Sequence, residues 1–150
     1  MTKRDNFSLK IKTELAGRVG WRCAFPGCRV ATIGPKLEGS GVVITGEAAH
    51  ITAASPGGPR YDDTMTSDAR KDAQNGLWLC ANHADIVDKD ELNYSVATLK
   101  IFRRQAEELA HHELTQFRRA DASSAELLTL VEVGFDLVFE GYWASAERDV

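Results

Sequence analysis

Cysteine is scarce in this chain and odd in number: three thiols in 150 residues. Complete disulfide pairing within one chain is thereby excluded, and with it the class of small secreted domains held by cystines. Long apolar runs are missing as well. None approaches the roughly 20 residues needed to cross a bilayer. The N-terminus, Met1-Thr2-Lys3-Arg4-Asp5-Asn6, is charged with no apolar segment behind it, so no signal peptide is expected. These absences together suit a soluble protein of the reducing cytoplasm. A strong excess of charge is also lacking. The net charge is −4, but residues 121–150 hold one arginine against seven acids, which leaves the first 120 residues at about +2. Such a balance neither supports nor excludes a nucleic-acid partner, because local phosphate contacts matter more than the total.

What the chain does hold is a pattern in its few metal-ligating residues. The length fits one domain with an appendage, a body over 1–120 and an acidic segment over 121–150. Within the body, every cysteine has a partner at ligand spacing, as Cys23-x4-Cys28 and Cys80-x2-His83. Two loop-borne pairs far apart in sequence are the usual way to close a tetrahedral zinc site, and Pro26-Gly27 supplies a tight turn inside the first. The competing reading is that these are ordinary buried thiols. The pairing of all three favours a structural zinc ion.

Patterning gives an α+β body. Ser8 caps a first helix to about Gly17, with Leu9, Ile11, Leu15 and Val19 on its apolar face. Residues 31–41 read as an exposed Gly/Pro-rich loop. Val42–Thr45 and Ala48–Ile51 read as two strands joined into a hairpin at Gly46. A long polar loop, Thr52–Thr66, follows, and loops of that length are more often functional than accidental. Ser67 opens a short helix to about Gln74. Leu77-Trp78-Leu79 is a buried strand, Ala81–Val87 a helix, and Ser95 caps the longest helix to about Arg119. Beyond Asp121, Leu128–Phe139 fits strand or helix.

Ala49-His50-Ile51, then Gly57-Gly58-Pro59-Arg60-Tyr61, then Asn75-Gly76-Leu77-Trp78-Leu79-Cys80-Ala81-Asn82-His83 and Asp88 together resemble an HNH endonuclease domain. The likeness is to the zinc-stabilised branch found in bacterial restriction and phage-defence effectors, and it covers about residues 20–105. It implies a treble-clef-like ββα-metal core with flanking helices. His50 would be the general base, since a neutral imidazole near pH 7 suits removal of a proton from water. Asn75 would orient that imidazole or place its carbonyl on a metal. A catalytic Mg²⁺ or Mn²⁺ would stabilise charge on the phosphate and the departing oxygen. Two positions depart from the family pattern: Ala49 and Ala84 stand where many such domains carry metal ligands. Asp88 is then the leading oxygen ligand, ahead of Asp85 and Glu47.

Arg60 has two readings, a phosphate contact through its bidentate guanidinium or an ion pair with Asp62 or Asp63. Arg103, Arg104, Arg118 and Arg119 are diluted by Glu107, Glu108 and Glu113, so a solvated helix face is the better reading. His111 and His112 read as surface residues. The resemblance implies a metal-dependent DNA endonuclease with little base readout, an effector against foreign DNA. The competing class is a non-catalytic zinc module derived from such a nuclease, which would have no need of both His50 and Asn75. The aromatic run Phe139-Glu140-Gly141-Tyr142-Trp143 fits a fused sensor domain or a second subunit that controls activity.

Overall fold

The computed structural model describes residues 4–115. They form a mixed α+β body of two small antiparallel sheets and four α-helices. The first helix, α1, spans Leu9–Arg18, and the Ser8 hydroxyl accepts from the Ile11 amide at 3.3 Å, as its capping position requires. Its end is abrupt. Gly20 takes φ +61°, Trp21 follows at +57°, and the Trp21 amide closes back on the Ala16 carbonyl at 2.7 Å. The chain then makes a narrow loop, in which the Cys23 amide donates to Val30 and the Cys28 amide to Phe25, with Gly27 at φ +77°.

Strands β1 (Ile33–Pro35) and β2 (Val42–Ile44) pair as one hairpin, and β3 (Gly46–His50) and β4 (Gly76–Cys80) as another sheet. The expected hairpin of 42–45 with 48–51 is not formed, and part of the loop expected over 31–41 is strand. The reason lies in β4. Gly76–Leu79 are buried, so the β4 backbone groups must find partners inside the protein, and β3 supplies them in the register His50 to Gly76 and Gly46 to Cys80. Strand β2 is half exposed throughout and takes the nearer, cheaper partner, β1. Gly46 is required where β3 begins, because a Cβ there would overlap the Trp78 ring.

Helix α2 covers Ser67–Lys71 and is capped by Thr66, not Ser67, whose hydroxyl donates to the Asp5 carboxylate at 2.6 Å instead. A single 3-10 turn, Ala73–Asn75, leads into β4, so the helix expected to Gln74 stops earlier. Helix α3, Ala81–Lys89, follows β4 directly and runs two residues past the expected end. Helix α4, Val96–Thr115, starts after Ser95 as expected, the Ser95 hydroxyl accepting from the Thr98 amide. The expected end of that helix near Arg119 and every expectation for 121–150 lie outside the described residues.

Helices α1 and α3 pack on the β3–β4 pair, and α4 meets β4. Between them lies one core built on Leu15, Val19, Ile51, Leu77, Leu79, Val87 and Leu99, each at most 2% exposed. Two of the polar side chains that enter this interior are linked in a chain of hydrogen bonds. The Trp78 indole N–H donates to the Thr32 hydroxyl at 2.7 Å, which in turn donates to the Trp21 carbonyl at 2.6 Å. Among the described residues no helix is long and apolar enough to cross a membrane.

Candidate metal centre and histidine pocket

The order β3, β4, α3 puts two sites on opposite ends of one sheet. At the Cys80 end, four side chains converge. Cys23 and Cys28 come from the narrow loop after α1, Cys80 closes β4 and caps α3, and His83 sits one turn into that helix. Their Sγ and Nδ1 atoms all lie within 4.8 Å of one another. The Cys23 and Cys80 sulfurs stand 3.6 and 3.2 Å from the His83 Nδ1. Zinc bonds of about 2.3 Å to sulfur and about 2.0 Å to nitrogen would place tetrahedral donors roughly 3.5–3.8 Å apart, so this set could hold a metal ion such as zinc.

The surroundings of the four donors set what a bound metal would have to overcome. Cys80 caps α3 without a side-chain hydrogen bond to the helix, which leaves its sulfur aimed at the cluster. The His83 ring is held by Phe25, stacked on it at 3.9 Å and 10°. Burial pushes the Cys23 thiol up to about 12, with the neighbouring Cys28 and Cys80 also opposing its ionisation. A dication reverses this balance by stabilising thiolates directly. All three cysteines are free thiols.

At the other end, β3 delivers His50 to a cavity of about 530 Å³. Arg4, Glu47, Asp85 and Asp88 share its wall with His50, and Ala49 and Ala84 face it too. The imidazole is fixed by the N-terminal segment. Phe7 stacks on it at 3.8 Å and 7°, and Nε2 lies 3.0 Å from the Asp5 carbonyl oxygen. A carbonyl only accepts, so Nε2 carries the proton and Nδ1 keeps its lone pair. Burial holds the His50 pKa below the ordinary histidine value, and the Arg4 charge adds to this against the opposing pulls of the Asp5 carbonyl, Asp88 and Asp5. The result at neutral pH is an uncharged imidazole of defined tautomer, with a basic nitrogen available.

Asn75 does not make the expected contact with that ring. Its amide is spent on the backbone beyond it: Oδ1 accepts from the Thr52 amide at 2.9 Å, and Nδ2 donates to Thr52 and Arg70 carbonyls at 2.8 and 3.1 Å. Asn75 is 3% exposed, so these interior backbone groups have no water to turn to. The residue therefore fixes the chain just after His50 and Ile51, while the Asp5 carbonyl orients the imidazole.

Arg60 is turned inward. Its side chain is 5% exposed and pairs with neither Asp62 nor Asp63. Nε donates to the Ile51 carbonyl at 2.8 Å, and one terminal nitrogen donates to the Val87 carbonyl at 2.7 Å; the other pairs with Asp88 at 2.8 Å. Val87 lies in the last turn of α3, where carbonyls lack helical partners, so a buried cation there satisfies both hydrogen bonding and the helix dipole. The same bond ties Asp88, expected as a metal ligand, to Arg60. Asp88 still lines the His50 cavity and is half exposed. Among the described residues, the cysteine–histidine set is the only place where three or more His, Cys, Asp or Glu donors come together.

Arg4, Asp5 and Phe7 escaped the sequence reading. Phe7 carried a weak signal as an apolar residue just before a helix cap, but nothing in the sequence joins Asp5 to a histidine 45 positions away. The sequence matches no family model, and comparison with curated proteins finds no match.

Proposed function

We propose that the chain is a zinc-stabilised HNH-type nuclease domain that hydrolyses phosphodiester bonds in DNA, acting as an effector against foreign DNA. The observation that carries this reading is His50: neutral, held in one tautomer through Nε2, and lining a cavity. That is the state a general base needs before it meets a water molecule. In the proposed reaction Nδ1 takes a proton from water as the water oxygen bonds to phosphorus. The P–O3′ bond breaks, and the leaving oxygen is protonated from solvent. Zinc on Cys23, Cys28, Cys80 and His83 would hold the β4–α3 corner against the loop after α1. A divalent ion of the Mg²⁺ or Mn²⁺ type, when bound, supplies positive charge to the phosphate and the departing oxygen, with Asp88 as the carboxylate on this chain suited to it.

A second reading, a zinc module that binds nucleic acid or protein without cutting, is favoured by one feature. Ala49 and Ala84 offer the cavity no ligand atom, and Asp88 is shared with Arg60. One experiment separates the two. Purified protein is incubated with plasmid DNA and Mg²⁺, Mn²⁺ or Zn²⁺, beside a His50→Ala control. Cleavage by the wild type alone supports the nuclease; DNA binding without cleavage under any ion supports the module.

A further inference from the structure

The charged groups around the His50 cavity are not all paired with one another. Asp85 is paired with Lys89 at 2.6 Å and Asp88 with Arg60 at 2.8 Å, so two of the three carboxylates already have a cation. Arg4 lines the same cavity, is exposed, and makes no salt bridge among the described residues. Its position is nonetheless held, because the residue after it is anchored four ways. The Asp5 amide donates to Ala54 at 2.9 Å, its carbonyl accepts from His50 at 3.0 Å, and its carboxylate accepts from Ser67 at 2.6 Å and from Arg70 at 3.5 Å. Phe7, 5% exposed, then buries the segment against the imidazole.

The geometry points to Arg4 as the residue that binds the substrate's phosphodiester anion beside His50, the role that Arg60 cannot fill from its buried position. This rests on the phosphodiester reading above. A guanidinium presents parallel N–H donors to two phosphate oxygens, and its strength rises where water is partly excluded. The wall also selects the kind of phosphate. Glu47, the one of the three wall carboxylates with no salt bridge among the described residues, repels a second negative charge, so a singly charged diester suits the cavity better than a doubly charged monoester. The N-terminal segment then has two tasks at one site: Asp5 and Phe7 set the base, and Arg4 holds the group that the base serves.

The test uses the full-length, zinc-loaded protein and two probes, dimethyl phosphate and inorganic phosphate, followed through the His50 ring resonances by NMR. Wild type should show saturable shifts with dimethyl phosphate and weaker binding of inorganic phosphate. Arg4→Ala should weaken the diester by about tenfold or more, while Arg4→Lys keeps part of it. On plasmid DNA, Arg4→Ala should raise KM more than it lowers kcat. Equal diester binding by Arg4→Ala and wild type, or no shift at His50 in wild type, overturns the proposal. Diester binding that depends on Arg4 without cleavage under any ion keeps the anion site and sinks the nuclease reading. Cleavage indifferent to Arg4 does the reverse.

Discussion

Replacing Arg60 with alanine should destabilise the fold rather than merely weaken a ligand contact, and the size of the loss can be worked from its partners. The guanidinium donates to the Ile51 and Val87 carbonyls at 2.8 and 2.7 Å from a side chain that is 5% exposed. Hydrogen bonds from a charged donor contribute about 1.5–3 kcal/mol each, and the two carbonyls would be left short of partners. The ion pair with half-exposed Asp88 adds only about 0–1 kcal/mol, since water screens it. Water entering the vacated space recovers part of the loss, which leaves a cost of about 3–5 kcal/mol. For a domain of this size that corresponds to a fall in Tm of roughly 12–20 °C. Arg60→Lys keeps the charge but not the fork, and should recover about half. Thermal and urea unfolding of zinc-loaded wild type and both variants measure this directly. A loss below about 1 kcal/mol in Arg60→Ala, together with weakened DNA binding, would refute the brace and restore the phosphate contact.

Folded protein should contain one zinc per chain by elemental analysis. Cys80→Ser or chelation should collapse the circular dichroism signal, because structural zinc contributes on the order of 10 kcal/mol, comparable to the stability of a whole domain. A metal-free protein that stays folded would count against it. His50→Ala should abolish cleavage with little change in Tm, and activity should need the neutral ring. The folded pKa lies below the ordinary 6.5, so activity is full above it and is lost as pH falls through that lowered value. Stability follows the same sign: the unfolded chain takes the proton first, so the contribution is whole above about 6.5 and lost from there down to the folded pKa. A pH–rate profile whose acid limb lies above 6.5 would contradict the assignment. Asn75→Ala should cost about 3 kcal/mol in chemical denaturation, from three lost hydrogen bonds at a buried site. Residual cleavage below its unfolding temperature should survive, and an intact fold with all activity lost would return Asn75 to a direct role at the imidazole.

The sequence by itself determined the parts of this protein that depend on short spacings. Helix α1 with its Ser8 cap, the start of α4 after Ser95, the buried strand around Trp78, and the pairing of Cys23 with Cys28 and Cys80 with His83 all rest on residues a few positions apart. Their physics is local: a cap accepts an amide three residues on, and a ligand pair needs one turn between its members. That the two pairs meet was inferred from chemistry, and their four donor atoms do lie together. Which strand pairs with which was decided elsewhere. The buried β4 needed an internal partner, and that need turned the expected 42–51 hairpin into two separate pairings. The roles of polar side chains were decided by burial. Asn75 is expected beside the imidazole from the resemblance and Arg60 at a phosphate from its side-chain chemistry, but packing surrounds both with backbone groups that take up their hydrogen bonds. His50 stayed at a cavity because Phe7 and the Asp5 carbonyl hold one face and one nitrogen, and leave the other nitrogen free. No pattern in the sequence joins residues 5 and 50; only the folded chain, by laying its N-terminal segment across the end of β3, brings them together.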